Sequence, residues 1–322
     1  MIEVRNLIKT YGPTRALDGV TFTIPTGEVL GFLGPNGAGK TTAMKIITGY
    51  MPPTDGEVFV DSLDAMEHSL EVRRKIGYLP ENTPLYLDMN VLDYLEFVQR
   101  LRAIPKSDRP KRVKRMVDLC GLGEVTRKDI GELSKGYRQR VGLAQAMIHD
   151  PEILILDEPT VGLDPNQIVE IRSLITELGR AKTLILCTHI LSEVEAACQR
   201  VLIINRGRIV ADGTTQSLRA AASGRDRLTV EIKGPHGDVL AALEALPGSA
   251  RVEALQNGDG EPVSGNPRFA VESAPGRDLR EAVFTLARDR QWILLELRRE
   301  SVRLEDVFRQ LTRGSETAPG KN

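Results

Sequence analysis

Cysteine is scarce in this chain, and its few copies form no recognisable site. The three cysteines, Cys120, Cys187 and Cys198, have neither the close spacing of a zinc or redox motif nor the density of a disulfide scaffold. Their number and spacing exclude a disulfide-rich class and favour reduced thiols in a cytosolic chain.

Long apolar runs and an excess of one charge are also missing. No stretch approaches the roughly 20 consecutive apolar residues of a membrane-spanning helix, and the N-terminal segment MIEVRNLIKTYG lacks the layout of a signal peptide. The formal net charge is −1, so bulk charge does not indicate a nucleic-acid-binding domain. The one basic run, at 106–115, is interpreted either as the solvated face of a surface helix or as a contact for anionic lipid headgroups or a partner.

A glycine-rich segment, GPNGAGKTT, fits the phosphate-loop pattern G-x-x-x-x-G-K-[ST] between an apolar strand at 29–33 and a helix-like stretch at 41–49. Glycines let consecutive N–H groups approach anionic oxygens, and the helix N-terminus adds positive potential. Lys40 is expected to reach the β- and γ-phosphates of a nucleotide, and the Thr41 hydroxyl to ligate Mg²⁺. The predicted nucleotide contacts are Gly34, Pro35, Asn36, Gly37, Ala38, Gly39, Lys40, Thr41 and Thr42.

Two carboxylates end a second apolar strand. Asp157 and Glu158 follow Ile153–Leu156, and ligands of α/β proteins bind at the carboxyl ends of strands. Asp157 is placed to hold the Mg²⁺ shell, and Glu158 to act as general base toward an attacking water. The alternative is a pair of solvent-facing acids at a strand end.

The pattern predicts two domains. Strands and helices alternate over residues 1–220, which indicates a parallel sheet covered on both faces, with a helical insertion at about 88–145. Small residues near 220–225 suggest a linker. Residues 225–313 are predicted to have the order β-α-β-β-α-β of a small ferredoxin-like α+β domain, and 314–322 to form a disordered tail. We find no catalytic constellation after residue 220.

Further motifs resemble those of ABC ATPases, in that family's order. LSKGYRQR at 133–140 resembles the signature motif, with Ser134 and Gly136, and Asp164 in VGLD resembles the D-loop. His189, after the strand at 183–187, resembles the switch histidine, and Tyr11 the aromatic residue that stacks on adenine. These motifs span residues 1–215, and their fold would be a P-loop NTPase core with a helical insertion.

The resemblance implies a mechanism and its cofactors, ATP and Mg²⁺. Two nucleotide-binding domains would pair head to tail, so that Ser134 and Gly136 of one chain cap the γ-phosphate held by Lys40 of another. His189 would sense that phosphate beside Glu158. A homodimer is the simple expectation.

Two departures from the family pattern stand out. Glu81, in the loop after Ile76, replaces the Gln that usually contacts magnesium and water; Glu supplies the same ligand oxygen with an added negative charge. Lys135 and Tyr137 replace the more usual Gly and Gln of the signature. Because Ser134 and Gly136 are kept, phosphate capping is expected to persist.

The combination of LPEN at 79–82, the signature and a small C-terminal domain is similar to ATP-binding subunits of ABC-2-type exporters, most of all the gliding-motility-associated (Gld-type) subunits. This implies a separate integral-membrane permease and a peripheral position on the cytoplasmic face of the inner membrane. Permease contact is expected near Pro84–Phe97, where Leu85, Tyr86, Leu87 and Met89 are apolar; ordinary packing of the insertion explains them equally well.

Two rival functions are weighed. A soluble ABC ATPase acting on nucleic acid or the ribosome would carry long heptad repeats or a second phosphate loop, and neither is seen. A binding module without turnover would not require Glu158 and His189. Nucleic acid is therefore not expected as a partner.

Overall fold

The computed structural model describes residues 1–222, 227–255, 266–274, 277–300 and 304–313. The strands are β1 (Ile2–Tyr11), β2 (Thr14–Ile24), β3 (Val29–Leu33), β4 (Asp55–Val60), β5 (Leu63–Asp64), β6 (Ile76–Leu79), β7 (Ile153–Asp157), β8 (Thr183–Thr188), β9 (Arg200–Asn205), β10 (Arg208–Gly213), β11 (Arg227–Lys233), β12 (Ser249–Ala254), β13 (Arg268–Ser273) and β14 (Ile293–Glu300). The helices are α1 (Lys40–Ile47), α2 (Ser69–Lys75), α3 (Val91–Leu101), α4 (Arg109–Leu119), α5 (Lys135–Met147), α6 (Pro165–Gly179), α7 (Leu191–Ala197), α8 (Thr215–Ala222), α9 (His236–Glu244), α10 (Arg280–Asp289) and α11 (Leu304–Arg313).

A six-stranded sheet in the order β10-β9-β3-β8-β7-β6 forms the centre of the first unit. Five of its strands are parallel, and β10 joins one edge antiparallel. Every residue of β3, β7 and β8 is buried, as expected for parallel strands covered on both faces. The parallel register brings the carboxyl ends of β3, β7 and β8 to one edge, and this edge carries the candidate site.

A second sheet, β2-β1-β4-β5, is antiparallel. Its inward side chains, such as Ile2 and Val4, share one core with Leu30 and Phe32 of β3 and with Met44 of α1. Helix α1 is thereby packed on both sheets, which fixes the position of the loop that precedes it.

The predicted helical insertion contains α3, α4 and α5, which pack on a shared core. The insertion is interrupted between α3 and α4, where Ala103 has φ 53° and Pro105 cannot donate a backbone hydrogen bond. Helix α5 begins after Ser134, whose hydroxyl accepts a hydrogen bond from the Tyr137 N–H at 3.4 Å, as serine does at helix N-termini.

The contact pattern divides the chain into two compact units, one containing Met1–Thr215 together with residues from Phe308 onward, the other Gln216–Val307. The second unit follows the element order β-α-β-β-α-β from β11 to β14, and its sheet has the antiparallel order β12-β13-β11-β14. Residues Ala220–Ala222, expected in a linker, instead end α8. The segment 314–322, predicted as a tail, lies outside the described residues.

None of the helices in the described ranges is both long enough and apolar enough to span a membrane.

Candidate functional site

The loop 34–39 connects β3 to α1 and is held close to the rest of the fold. A Cβ atom on Gly34 would lie 2.5 Å from the Ile204 carbonyl oxygen, and one on Gly39 would lie 2.6 Å from that of Ala16. Gly39 is also the N-cap of α1, with φ 108°. Gly37 has φ 78° and nothing within 4 Å of where a Cβ would stand. Packing therefore requires glycine at 34 and 39, and the positive φ favours glycine at 37 and 39.

Lys40 is the first residue of α1, and its side chain turns back over the loop. Its Nζ donates hydrogen bonds to the Gly34 carbonyl at 2.7 Å and the Pro35 carbonyl at 3.4 Å. The same Nζ lies 3.3 Å from Oε1 of Glu158, and both side chains are only 6% exposed. The ammonium is thus held at the centre of the loop beside a buried carboxylate.

Asp157 ends β7 and is fully buried, yet neither carboxylate oxygen has a hydrogen-bond partner among the described residues. Burial, together with the charges of Glu158 and Glu81, raises the pKa of Asp157 to about 6, although the Thr41 hydroxyl and Lys40 act in the opposite direction. Buried oxygens without partners are rare and need an explanation. A hard cation that takes oxygen ligands, such as Mg²⁺, fits this carboxylate and the Thr41 hydroxyl.

Glu158 connects Lys40 to His189. Its backbone has φ 52°, a left-handed conformation that non-glycine residues adopt where surrounding structure imposes it. The Glu158 N–H donates to the Cys187 carbonyl at 2.8 Å, and Oε2 lies 2.9 Å from Nδ1 of His189. The His189 side chain is 43% exposed and that of Glu158 only 6%, so the histidine ring lies between solvent and the buried carboxylate.

The signature and D-loop residues meet each other. Ser134 is exposed at the start of α5, and Gly136 is buried. Asp164 caps α6 in a reciprocal arrangement with Gln167, and a Cβ on Gly136 would lie 2.4 Å from the Gln167 Oε1. No hydrogen bond or ion pair among the described residues joins Ser134, Gly136 or Asp164 to Lys40 or Glu158.

Sequence reasoning missed Gln167, although the spacing Asp-x-x-Gln ahead of an apolar helix is a capping-box pattern that could have revealed it. It also missed a buried link in which the Thr160 hydroxyl donates to the Glu193 carboxylate of α7. Tyr78 of β6 was missed as well. Its buried hydroxyl has no hydrogen-bond partner within the described part of the chain, and burial followed by the charge of Asp157 raises the pKa of Tyr78 well above the usual range. Neither the Thr160–Glu193 hydrogen bond nor the burial of Tyr78 beside Asp157 has a sequence signal, because each brings together residues far apart in the chain.

Two more predicted site residues lie at the surface. Tyr11 ends β1 with its ring exposed, its hydroxyl 3.1 Å from the Met51 Sδ and its ring centroid 5.5 Å from the Lys9 Nζ. Glu81 is exposed just after β6, and it lines the same cleft as Thr41.

Comparisons with known proteins agree with this geometry. The family described as ABC transporter matches residues 17–161. The linearmycin resistance ATP-binding protein LnrL of Bacillus subtilis is 32% identical over 249 residues, which cover 76% of this chain and 79% of that protein. The chain belongs to the ABC transporter ATP-binding protein family.

Two further similarities extend the match. The Nod factor export ATP-binding protein I of Burkholderia lata is 32% identical to this ABC protein over 316 residues, covering 97% of this chain and 96% of that one. The dimeric post-hydrolysis structure of the ATP-binding cassette MJ0796, bound to ADP and Pi, is 28% identical with a TM-score of 0.62, covering 66% of this chain and 98% of that one. This ABC protein is an ATP-binding subunit with the ABC ATPase fold.

Proposed function

We propose that the chain hydrolyses ATP as a subunit of an ABC-2-type exporter, within which it most resembles the Gld-type subunits. The contact series Lys40–Glu158–His189 at the edge of the parallel sheet carries the hydrolytic part of this proposal. Support for export comes from the Nod factor export and linearmycin resistance proteins, to which the chain is similar.

In the proposed site each residue has one task. The loop N–H groups and Lys40 bind the triphosphate, and Tyr11 stacks on the adenine. Thr41, Asp157 and Glu81 hold Mg²⁺, which supplies charge neutralisation at the phosphates. Glu158 is aimed to take a proton from water, because Lys40 and His189 fix its two oxygens at 3.3 and 2.9 Å.

The signature is proposed to act on the nucleotide of a second cassette. Ser134 stands exposed at the first turn of α5, where a hydroxyl and helix N–H groups can meet a phosphate. Asp164 caps α6 together with Gln167, and the Gln167 side chain packs against Gly136. A head-to-tail homodimer would place these groups over the partner's γ-phosphate; the similarity to the dimeric cassette MJ0796 supports pairing of two cassettes.

We propose domain limits of 1–220 for the ATPase and 225–313 for an accessory domain. The element and sheet order of the second unit support a ferredoxin-like assignment for it. Fold alone assigns this unit no activity.

Permease contact is proposed at Tyr86 and Leu87. Both are about half exposed, with relative exposures of 54% and 51%, whereas Leu85 and Met89 pack on the core of the helical insertion. The Tyr86 ring is braced edge-on by Phe97, with ring centroids 5.4 Å apart. Of the four apolar residues predicted near the permease contact, two therefore pack inside the protein and two are exposed to solvent.

Two measurements test the proposal together. The purified chain should hydrolyse ATP in a Mg²⁺-dependent manner, and affinity purification from gently solubilised membranes should recover a stoichiometric polytopic protein. Hydrolysis together with ribosomes or nucleic acid, and without a membrane protein, would contradict the exporter assignment while leaving the ATPase intact.

A further inference from the structure

Tyr78 lies on the same face of the central sheet as the strand-end carboxylate Asp157. In the parallel register of β6 and β7, Tyr78 is the partner of Ile155, so the two side chains share a face. Side chains alternate along a strand, and Asp157, two residues after Ile155, therefore lies on that face as well. Tyr78 packs against the core that holds Ile155 and Met44 of α1. Tyr78 and Asp157 are thus diagonal neighbours on the face that α1 covers.

The hydroxyl of Tyr78 and the carboxylate of Asp157 are in the same unusual condition. The Tyr78 hydroxyl and both Asp157 oxygens are buried, and none of these atoms has a hydrogen-bond partner among the described residues. A buried tyrosine hydroxyl is normally paired, and burying it unpaired costs free energy that a phenylalanine would avoid. A hydroxyl at this position is explained if it gains a partner when the site is occupied.

Asp157 is the strongest acceptor near that hydroxyl. After burial, the charge of Asp157 is the largest cause that raises the pKa of Tyr78, ahead of Cys187 and Tyr50. Burial raises the pKa of Cys187 as well, so this residue stays a thiol, which is a weak acceptor. Tyr50 is 74% exposed and has water to bond with. The Asp157 carboxylate is therefore the partner that suits the Tyr78 hydroxyl.

A carboxylate that ligates a metal benefits from such a donor. When one oxygen binds Mg²⁺, the second oxygen can still accept a hydrogen bond. Bonds of this kind orient ligating carboxylates, and Mg²⁺ tolerates little departure from octahedral geometry. Tyr78 also lines one cleft together with Thr41, the other strand-end neighbour proposed to ligate the metal. Its hydroxyl is thus placed to hold a metal ligand without touching the nucleotide.

We propose that Tyr78 is a positioning residue of the magnesium site, and that its hydroxyl donates a hydrogen bond to the Asp157 carboxylate when this carboxylate holds Mg²⁺. The inference rests on the proposed function, and it adds a residue outside the phosphate loop, the carboxylate pair and the switch histidine. Since Tyr78 has no task toward the phosphates or the attacking water, its hydroxyl affects metal affinity and leaves metal-free nucleotide binding unchanged.

Metal binding by Tyr78→Phe tests this directly, because the variant loses the hydroxyl and keeps the ring. Electron paramagnetic resonance measures the binding of Mn²⁺, which prefers the same oxygen ligands as Mg²⁺. The parent is the full chain with Glu158→Gln, expected to hydrolyse slowly, in excess over ATP so that the nucleotide is bound. Tyr78→Phe should weaken Mn²⁺ binding by about tenfold or more, and ATP binding in EDTA should stay unchanged. Asp157→Asn is the positive control and should weaken Mn²⁺ binding as well.

Tyr94→Phe is the matched control, because Tyr94 is also buried but its hydroxyl already donates to Oε1 of Gln145 at 2.6 Å. This variant should unfold at lower urea concentration than its parent and keep the Mn²⁺ affinity. Tyr78→Phe should behave in the opposite way. Without metal it should be at least as stable as its parent, because it removes an unpaired buried hydroxyl. Loss of packing alone would not produce that combination.

The outcomes separate the inference from the proposed function. If Asp157→Asn weakens Mn²⁺ binding and Tyr78→Phe does not, the inference is overturned and the magnesium site stands. An equal loss of ATP binding in EDTA overturns the inference in the same way. So does a Tyr78→Phe chain that is less stable than its parent without metal, because the hydroxyl would then have a structural partner. A parent that binds no Mn²⁺ with ATP, or an Asp157→Asn variant with unchanged affinity, overturns the proposed magnesium site as well.

Discussion

The ammonium of Lys40 lies 3.3 Å from Oε1 of Glu158, and both groups are almost completely buried. The lysine proposed to bind phosphate and the carboxylate proposed to activate water are therefore an ion pair. A phosphate that engages Lys40 must compete with Glu158 for it, so binding and catalysis are coupled at this contact.

Glu158→Gln should slow hydrolysis and tighten ATP binding. The amide keeps the shape of the side chain but cannot accept a proton, which removes general-base catalysis worth about 10²–10⁴-fold. It also removes a negative charge beside Lys40, so the phosphates no longer compete with a carboxylate for the ammonium. Single-turnover hydrolysis and equilibrium nucleotide binding measure the two effects, with Glu152→Gln, an exposed carboxylate just before β7, as the control. Equal weakening of binding and hydrolysis would contradict this assignment.

His189→Ala should lower kcat by roughly 10–100-fold with a smaller change in KM. Its Nδ1 lies 2.9 Å from Oε2 of Glu158, and a hydrogen bond to a charged group contributes about 1.5–3 kcal/mol. Steady-state ATPase assays measure both constants. His68→Ala is the control, because that exposed histidine lies 3.5 Å from Glu71, a carboxylate outside the proposed site. A change confined to KM would assign His189 to nucleotide binding instead.

Asp157→Asn should stabilise the protein at neutral pH in the absence of Mg²⁺ and nucleotide. The folded-state pKa of about 6 lies above the ordinary 3.8, so the folded state holds the proton more tightly than the unfolded state. Stability therefore falls as pH rises from about 4 to about 6, and above that range the buried charge costs about 3 kcal/mol. The variant lacks this cost, so its gain in unfolding free energy over the wild type should be complete at pH 7 and should vanish below pH 4.

Urea unfolding across this pH range measures the difference in stability between the two proteins. The same measurement with added Mg–ATP should reverse the direction of the effect. Nucleotide with Mg²⁺ should stabilise the wild type more than Asp157→Asn, because the variant loses a charged oxygen ligand. A pH-independent difference between the two proteins would show that the Asp157 carboxylate is not the source.

Gly136→Ala should destabilise the chain through Gln167. The new Cβ would stand 2.4 Å from the Gln167 Oε1, so the Gln167 side chain must move and give up the hydrogen bond that it accepts from the Asp164 N–H at 3.4 Å, a loss of about 1 kcal/mol. In a Gln167→Ala background the same change should become neutral or stabilising, because alanine favours helix over glycine. Thermal unfolding of the double-mutant cycle measures this coupling.

The matched control is Gly123→Ala, at a glycine with nothing within 4 Å of the added Cβ. If Gly136→Ala is equally destabilising with and without Gln167, the contact between signature and D-loop does not position α6.

Much of the fold was predictable because its signals are local. The buried strands β3, β7 and β8 are continuous apolar runs, and Ser134 starts α5 by capping it. The interruption between α3 and α4 was not predictable, since Val113 and Met116 keep the apolar spacing of a helix beyond the break. The antiparallel edge strand β10 was not predicted, although it pairs with its neighbour β9 across the two-residue turn Arg206-Gly207, where both residues have positive φ.

The sequence by itself determined which groups the site contains: a glycine loop before Lys40, a carboxylate pair at a strand end, and His189 after another strand. These follow from motifs in which neighbours along the chain act together. Only the tertiary structure decided that Lys40 and His189 contact opposite oxygens of Glu158 and that Gly136 packs against Gln167. Those contacts depend on the parallel register of β3, β7 and β8 and on helix packing, which join residues far apart in the chain.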